Sequence, residues 1–447
     1  MGAVVGADGL DKPLDVEQRA VRRVTWRVIP LLMLCYFVGY LDRTNISFAA
    51  LQMNKDLGLS ASEYGLGAGL FFLTYCLFAT PSSVLLYRFG ARRWMALILL
   101  VWGLCAGAMA FVTGPVSFNV ARLVLGAAEA GFYPGMLYFV TLWFPAAHRG
   151  RILAMALSAL PLSGVIGSPI SGLLLDLNGF AGLRGWQWLF LIEAAPAILL
   201  APVVLKVLKD TPAEAGWLPQ DEREWLSARL AGEAGRIPSD ARQGMLKTLA
   251  NPWLLFMILV YFTNVCLLNG LQFFLPQIVK TFGLDNAMTG MVVAIPSLMG
   301  FVTLLWYGRR SDAKGERYGH AAAANIIAAV GLLAAMMIDA PVPKIALLSV
   351  CVAFTVSFCA PFWSIPGTFL SGRAAATGIA MIGGLGVTGG VVTPWFVGRM
   401  KDLTGDFKLG LNVVGVFALV VSLLFLVLGR ARQARDRQAA SALQPAE

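Results

Sequence analysis

Twelve stretches of about twenty mostly apolar residues, the length a helix needs to cross a bilayer, run through the chain with short loops between them. They lie near 26–48, 64–87, 94–113, 117–143, 152–175, 188–208, 253–276, 288–308, 321–340, 345–371, 374–398 and 410–430. Lipid offers no partner for backbone N–H and C=O groups, so each stretch is predicted to close its hydrogen bonds internally as a helix. Of 447 residues, 58% are hydrophobic and only 13% are Asp, Glu, Lys or Arg. A soluble domain carries roughly 25% charged residues, so this chain cannot coat a water-facing surface. Soluble multidomain, disordered, collagen-like and disulfide-stapled secreted folds are excluded. The chain reads as an all-α membrane protein with twelve transmembrane helices.

The net charge of +10 would suggest nucleic acid as a partner in a soluble protein; here its placement gives another meaning. One set of loops holds Arg88, Arg92, Arg93, Arg149, Arg151, Arg309, Arg310, Lys314 and Arg317, and the terminal segments add Arg19, Arg22, Arg23, Arg430 and Arg432. The opposite loops are poor in basic residues. Cytoplasmic loops collect Lys and Arg, so both termini are expected in the cytoplasm and the basic excess reports orientation rather than nucleic-acid binding. The first 25 residues are polar, without the apolar core of a signal peptide, so span one is expected to stay in the membrane. The cell inner membrane is the expected location.

All six cysteines fall inside apolar spans with no C-x-x-C pair, so they read as small core hydrophobes rather than metal ligands or disulfides. No cofactor or metal is expected. His148 and His320 sit at loop edges.

Sliding the chain on itself by 225 positions superimposes Tyr36-Phe37 on Tyr261-Phe262, Gly58-Leu59 on Gly283-Leu284, Gly90 on Gly315, Arg92 on Arg317 and Pro169 on Pro394. One register that catches a Pro, an Arg and a Tyr-Phe pair implies an internal repeat. Two six-helix pseudo-symmetric bundles are predicted, at 26–208 and 251–430. They are joined by a cytoplasmic central loop at 209–250 and flanked by a segment at 1–25 and a tail at 431–447. Such parallel repeats are a transporter architecture with the substrate midway between halves. Within the central loop, Trp225, Leu226 and Leu230 among charged neighbours predict a short amphipathic surface helix. Pro134-Gly135 in span four and Pro366-Gly367 in span ten are candidate hinges.

Ionisable residues inside a membrane are costly and are functional candidates by default. Four are singled out: Asp42 and Arg43 in span one, Arg122 and Glu129 in span four. Arg122 and Glu129 are two helical turns apart and share one side. The repeat places Leu267 and Leu268 opposite Asp42 and Arg43, so charge is confined to one half, which suits an asymmetric ligand with an anionic end. Two arginines can hold a carboxylate in bidentate fashion, and a nearby carboxyl can carry a proton. The competing reading is that Asp42–Arg43 and Arg122–Glu129 merely neutralise each other. Tyr75, Asn264, Asn269, Gln272, Trp363 and Ser364 are candidates to complete a substrate site.

In the second half Gly308, Asp312, Gly315 and Arg317 form G-x-x-x-D-x-x-G-x-R, which resembles the loop motif of the major facilitator superfamily. The first half keeps Arg88, Gly90 and Arg92 but has Tyr87 where the acid would stand. The run Tyr40-Leu41-Asp42-Arg43-Thr44-Asn45-Ile46-Ser47 resembles the first-span signature of the anion:cation symporter family within that superfamily. Glu129-Ala130-Gly131-Phe132-Tyr133-Pro134-Gly135, Trp186-Gln187-Trp188-Leu189-Phe190 and Ile192-Glu193-Ala194-Ala195-Pro196-Ala197 match it as well. The resemblance covers about 25 to 430. It implies the major facilitator fold and import of small organic anions with protons, with Arg43 and Arg122 on the carboxylate and Asp42 and Glu129 in proton coupling. It also implies the lipid bilayer as surroundings, and a monomer is expected.

The chain departs from the family where Ala79 and Ser83 interrupt F-E-V-P-S-N, where Gly383 and Val387 replace two asparagines of span eleven, and where Leu160 replaces an amide. Fewer amides leave fewer partners for hydroxyls, so a tartrate-like or aromatic acid is favoured over a sugar acid (hexonate). A proton-driven exporter of drugs or metabolites is the alternative, since Gly167-Ser168-Pro169-Ile170-Ser171-Gly172 partly resembles an antiporter motif. An enzyme is not indicated, because no nucleophile or metal motif appears, and no repeated ring of buried charge marks a channel.

Overall fold

The computed structural model describes residues 15–234, 251–314, 316–369 and 372–442. Among the described residues, twelve helical segments are long and apolar enough to cross a membrane: Val16–Asp56, Ala61–Phe89, Ala91–Phe111, Pro115–Trp143, Ala146–Leu177, Gly185–Val207, Pro252–Lys280, Asn286–Ser311, Tyr318–Met337, Pro341–Trp363, Thr377–Thr404 and Lys408–Gln433. They are numbered here as spans one to twelve. Each apolar run of the sequence corresponds to one of them.

Span one starts at Val16, well before its apolar run. The added turns carry Arg19 and Arg23, which reach the central-loop helix Gln220–Ala234. Arg23 Nε donates to the buried Glu222 carboxylate at 3.0 Å, and Arg19 to Asp221 at 2.9 Å. Trp217, just before that helix, stacks on Trp143 of span four at 5.8 Å, with the Arg27 guanidinium 5.2 Å from its ring. The predicted amphipathic helix is therefore present, and its acidic face is matched to arginines of span one. Residues 235–250 of the central loop lie outside the described residues.

Two prolines set local breaks. Span four is interrupted at Ala130 and Gly131, and span ten ends at Trp363, with a separate turn from Pro366 to Phe369. Proline has no N–H for the carbonyl four residues back, which for Pro134 is Ala130. The break therefore falls on the N-terminal side of the expected Pro134-Gly135 hinge.

Within the first half, span one packs on five and six, two on four and three on six. Within the second, seven packs on eleven and twelve, eight on ten and nine on twelve. The halves meet through span two against span eleven and span five against span eight. Under the 225-position repeat these two contacts are one contact, since span two corresponds to eight and eleven to five. A methyl group on Gly65 would meet the Pro394 carbonyl, and one on Gly290 would meet the Ser168 carbonyl and Pro169. Gly65 repeats as Gly290 and Pro169 as Pro394, so the same glycine–proline apposition occurs twice. The matched Gly58 and Gly283 also share a left-handed backbone, φ 65° and 81°, where spans one and seven turn back, a conformation that favours glycine.

The hydrogen bonds that cross between halves gather at the end away from the arginine-rich loops. Asp402 accepts from the backbone N–H groups of Ala61 and Ser62 at 2.9 and 2.8 Å. Asn286 donates to Asp176 at 2.8 Å, and the Tyr64 hydroxyl to the Phe273 carbonyl at 3.0 Å. Toward the arginine-rich end the link is weaker: Cys76 Sγ of span two lies 3.9 Å from the Gly384 carbonyl of span eleven.

Candidate functional site

The four charged residues singled out by the sequence are all drawn into the first half, but they pair differently from either expected neutralisation. Arg43 Nε donates to Glu129 Oε1 at 2.6 Å, joining spans one and four. Asp42 points the other way, where Trp102 Nε1 of span three donates to its Oδ2 at 2.7 Å. Consecutive residues on a helix diverge by about 100°, so adjacent Asp42 and Arg43 serve different neighbours. Arg122 is 1% exposed, and its Nε donates to the Gly67 carbonyl at 3.2 Å. Among the described residues no carboxylate lies within ion-pair distance of Arg122.

Aromatic rings fix both guanidinium groups. Arg43 lies 4.6 Å from the Tyr75 ring centre, 5.1 Å from Tyr40 and 5.5 Å from Phe71. Arg122 lies 4.7 Å from the same Phe71 ring. Phe71 is thus shared by the two cations, and Tyr75 stacks on it at 5.9 Å. Cation–π contacts strengthen when water is excluded. They hold the guanidiniums while leaving N–H donors for an anion. Glu129 Oε2 is buried with no hydrogen-bond partner.

The second-half candidates divide. The Asn264 amide donates to Asn325 Oδ1 at 2.9 Å and the Thr355 carbonyl at 3.0 Å, so both N–H groups bind spans seven, nine and ten together. Asn269 donates to the Val265 carbonyl at 3.0 Å and sits near Gly390 of span eleven. Gln272 lines a cavity of about 90 Å³ that Tyr40 and Thr44 also line from the first half. None of the four charged residues lines that cavity, whose walls are mainly apolar. Trp363 lies edge-on to Tyr261 at 4.9 Å. The Ser364 hydroxyl donates to the Pro361 carbonyl, while its own carbonyl accepts from Arg317 at 3.0 Å. Of this group, the structure brings Tyr75 to the arginines and Gln272 to the cavity between halves. Asn264 and Ser364 are engaged within the second half.

The loop motif gains a part that the sequence did not reveal. Gly90 adopts φ 83°, and the Arg92 backbone N–H donates to the Asp210 carboxylate at 2.8 Å. Asp210, from the start of the central loop, thus supplies at this turn an acid that Tyr87 does not. Arg88 lies over the neighbouring Phe89 ring. Gly308 of span eight lies near Ala360. Gly315 and the side chain of Asp312 lie outside the described residues. His148 contacts Glu17 at 2.8 Å, and His320 lies 3.2 Å from Glu316.

One buried acid was not singled out from sequence. Glu193 of span six is 2% exposed and accepts from Ser171 Oγ at 2.7 Å. The signal was there: an acid inside an apolar run, with no basic residue three or four positions away.

A twelve-span, twofold-repeated helical fold with buried charge in its first half is the architecture of a membrane transporter. Residues 32–394 match the sequence profile of the Major Facilitator Superfamily, and the chain belongs to that family. It is 45% identical over 418 residues to a protein of Agrobacterium vitis named "Putative tartrate transporter", covering 93% of this chain and 92% of the relative. It is 39% identical over 413 residues to a "Quinolone resistance transporter" of Acinetobacter baumannii, covering 92% and 95%. Among solved structures, a bacterial homolog of the human lysosomal transporter Spinster, in an inward-facing and occupied conformation, superposes with a TM-score of 0.74 at 15% identity. That match covers 94% of this chain and 98% of the other, and it shows the shared fold.

Proposed function

We propose that this transporter imports a small organic carboxylate, a tartrate-like hydroxy acid or an aromatic acid, together with protons. In this reading the two halves expose the site alternately to either side of the inner membrane, with both termini cytoplasmic and the chain acting as a monomer. The observation that carries it is the imbalance around Phe71: the buried Arg122 and the half-buried Arg43 share one ring, and only Arg43 has a carboxylate. A substrate carboxylate supplies the missing anion, with charge-assisted hydrogen bonds to Arg122 and Arg43. Glu129 competes with it for Arg43. A proton on Glu129 Oε2 weakens that pairing and frees Arg43, so substrate and proton enter together, and the same logic gives Asp42 a coupling role. Tyr75 and Tyr40 offer flat faces with one polar tip each, suited to a short or aromatic acid. The relative named as a tartrate transporter supports the substrate class. The scarcity of amides beside the arginines argues against a hexonate.

The test is uptake into proteoliposomes of labelled tartrate and of a labelled aromatic acid such as benzoate. An inward proton gradient is expected to drive accumulation above equilibrium. Export is the second reading, favoured by the relative named for quinolone resistance; stimulation by the opposite gradient alone would establish it and sink import.

A further inference from the structure

We infer that the cavity between the halves receives the apolar end of a substrate whose carboxylate the arginines hold. The preferred substrate is then a carboxylate with an apolar body, and not a tartrate-like polyhydroxy acid. The inference rests on the carboxylate reading above and narrows its substrate class.

The 225-position repeat identifies what this cavity is. Its wall includes Leu267, Leu268, Val293, Pro296 and Gly300. Shifted back by 225 positions, these become Asp42, Arg43, Ala68, Phe71 and Tyr75. The cavity is therefore the second half's counterpart of the arginine cluster, with Leu in place of Arg43, Pro in place of Phe71 and Gly in place of Tyr75. In the first half a guanidinium and two rings fill the space, Arg43 lying 4.6 Å from the Tyr75 ring centre and 5.5 Å from that of Phe71. In the second half the smaller side chains leave about 90 Å³ open. Tyr40 joins the two places: it lines the cavity, and its ring centre lies 5.1 Å from the Arg43 guanidinium. A ligand anchored on Arg43 and laid across the Tyr40 ring has its far end at this void.

The hydrogen bonds of the wall decide what can sit there. Thr44, Ser47, Ser163 and Thr355 all line the cavity, yet each hydroxyl donates to a carbonyl of its own helix, at 3.0, 2.6, 2.7 and 2.7 Å. Gln272 adds an amide, and no lining residue carries a positive charge. Tartrate would bring hydroxyls and a second carboxylate against these walls, and burying a carboxylate without a cation is costly. Carbon meets no such cost: each buried methylene gains by leaving water, and an apolar cavity of this kind stays dry until a ligand fills it. At roughly 30 Å³ for a water-sized group, the space holds about three carbon atoms, the far edge of an aromatic ring or the end of a short alkyl chain. A mere packing gap, opening and closing as the halves move, predicts no dependence of affinity on the carbon content of the ligand.

The experiment is a thermal-shift titration of the purified full-length protein with straight-chain carboxylates from acetate to hexanoate, and with benzoate and tartrate. Affinity is expected to rise about fourfold per methylene over about three members of the series and then level off, with benzoate above tartrate. A flat series, or tartrate binding more tightly than benzoate, overturns the inference. Gly300→Leu fills the cavity and is expected to remove the rise; a rise that persists places the apolar contact elsewhere and is equally fatal. Should Gly300→Leu fail to reach the membrane, Gly300→Ala adds a methyl group whose nearest neighbour, on Val352, is 3.8 Å away. It is expected to end the rise one methylene earlier, and an unaltered series overturns the inference again. Arg122→Ala separates this inference from the reading it rests on. A rising series that Arg122→Ala leaves undiminished removes the carboxylate clamp and keeps the cavity, whereas a flat series that Arg122→Ala weakens throughout keeps the clamp and removes the cavity.

Discussion

The two halves of this transporter repeat one another in mechanics and differ in chemistry. Gly65 against Pro394 and Gly290 against Pro169 are one contact made twice. Yet the first half buries Asp42, Arg122, Glu129 and Glu193 and half-buries Arg43, whereas Leu267 and Leu268 stand where the repeat would put Asp42 and Arg43. The second half buries amides and hydroxyls instead, with Asn264, Asn325 and Thr355 joined to one another. The apposed faces need matching shapes to close, and that constraint preserves symmetry. A ligand with one charged end needs charge on one side only, and that releases the other half to spend its polar groups on holding helices together.

The largest effect expected of this division is on binding. Arg122→Ala should weaken substrate binding by on the order of a hundredfold or more, while leaving folded protein in the membrane. Thermal-shift titration of the purified protein against carboxylic acids measures it, because a bound ligand raises stability in proportion to its occupancy. Full retention of affinity would break the assignment of the anion to the first half. Next, Glu129→Gln should abolish gradient-driven accumulation yet leave counterflow of substrate, since the amide imitates the protonated acid and leaves Arg43 free at every pH. Loss of both activities together would mean that Glu129 holds Arg43 in place rather than competing for it. The smallest effect concerns mechanics. Gly65→Ala and Gly290→Ala each add a methyl group against a carbonyl, an overpacking worth about 1–3 kcal/mol. Each should bias the halves toward parting at that end, read as a longer distance between spin labels placed across it. Similar shifts would sharpen the symmetry, and a shift in one variant alone would break it.

Much of this was legible in the sequence, for physical reasons. Twelve spans follow from hydropathy because lipid imposes helices, and the repeat follows from residues such as Pro169 and Pro394 that few positions tolerate by chance. The charged residues stood out because burial is expensive. What the sequence could not supply was partnership. Arg43 bonds to Glu129, 86 positions away, and not to adjacent Asp42, because side-chain direction around a helix decides which neighbouring span is met. Asn264 reads as a ligand candidate in sequence, yet Asn325 and the Thr355 carbonyl occupy both its N–H groups. Asp210 lies outside the loop motif it completes, so no local pattern could name it. Glu193 is legible as a lone acid inside an apolar run, but its partner Ser171 lies 22 positions away on span five.

Asp402 bears on how firmly the closed end is held. Its carboxylate caps the N-terminus of span two, where unpaired N–H groups and the helix dipole carry a partial positive charge. Caps of this kind are worth about 1 kcal/mol, because water solvates both partners nearly as well once they separate. A fastening of that size favours one arrangement by only about fivefold, and wetting the end is enough to undo it. For a carrier this is an advantage: a stronger lock would make every turnover wait for its release, whereas a clasp that dissolves in water leaves the bound substrate to decide the traffic.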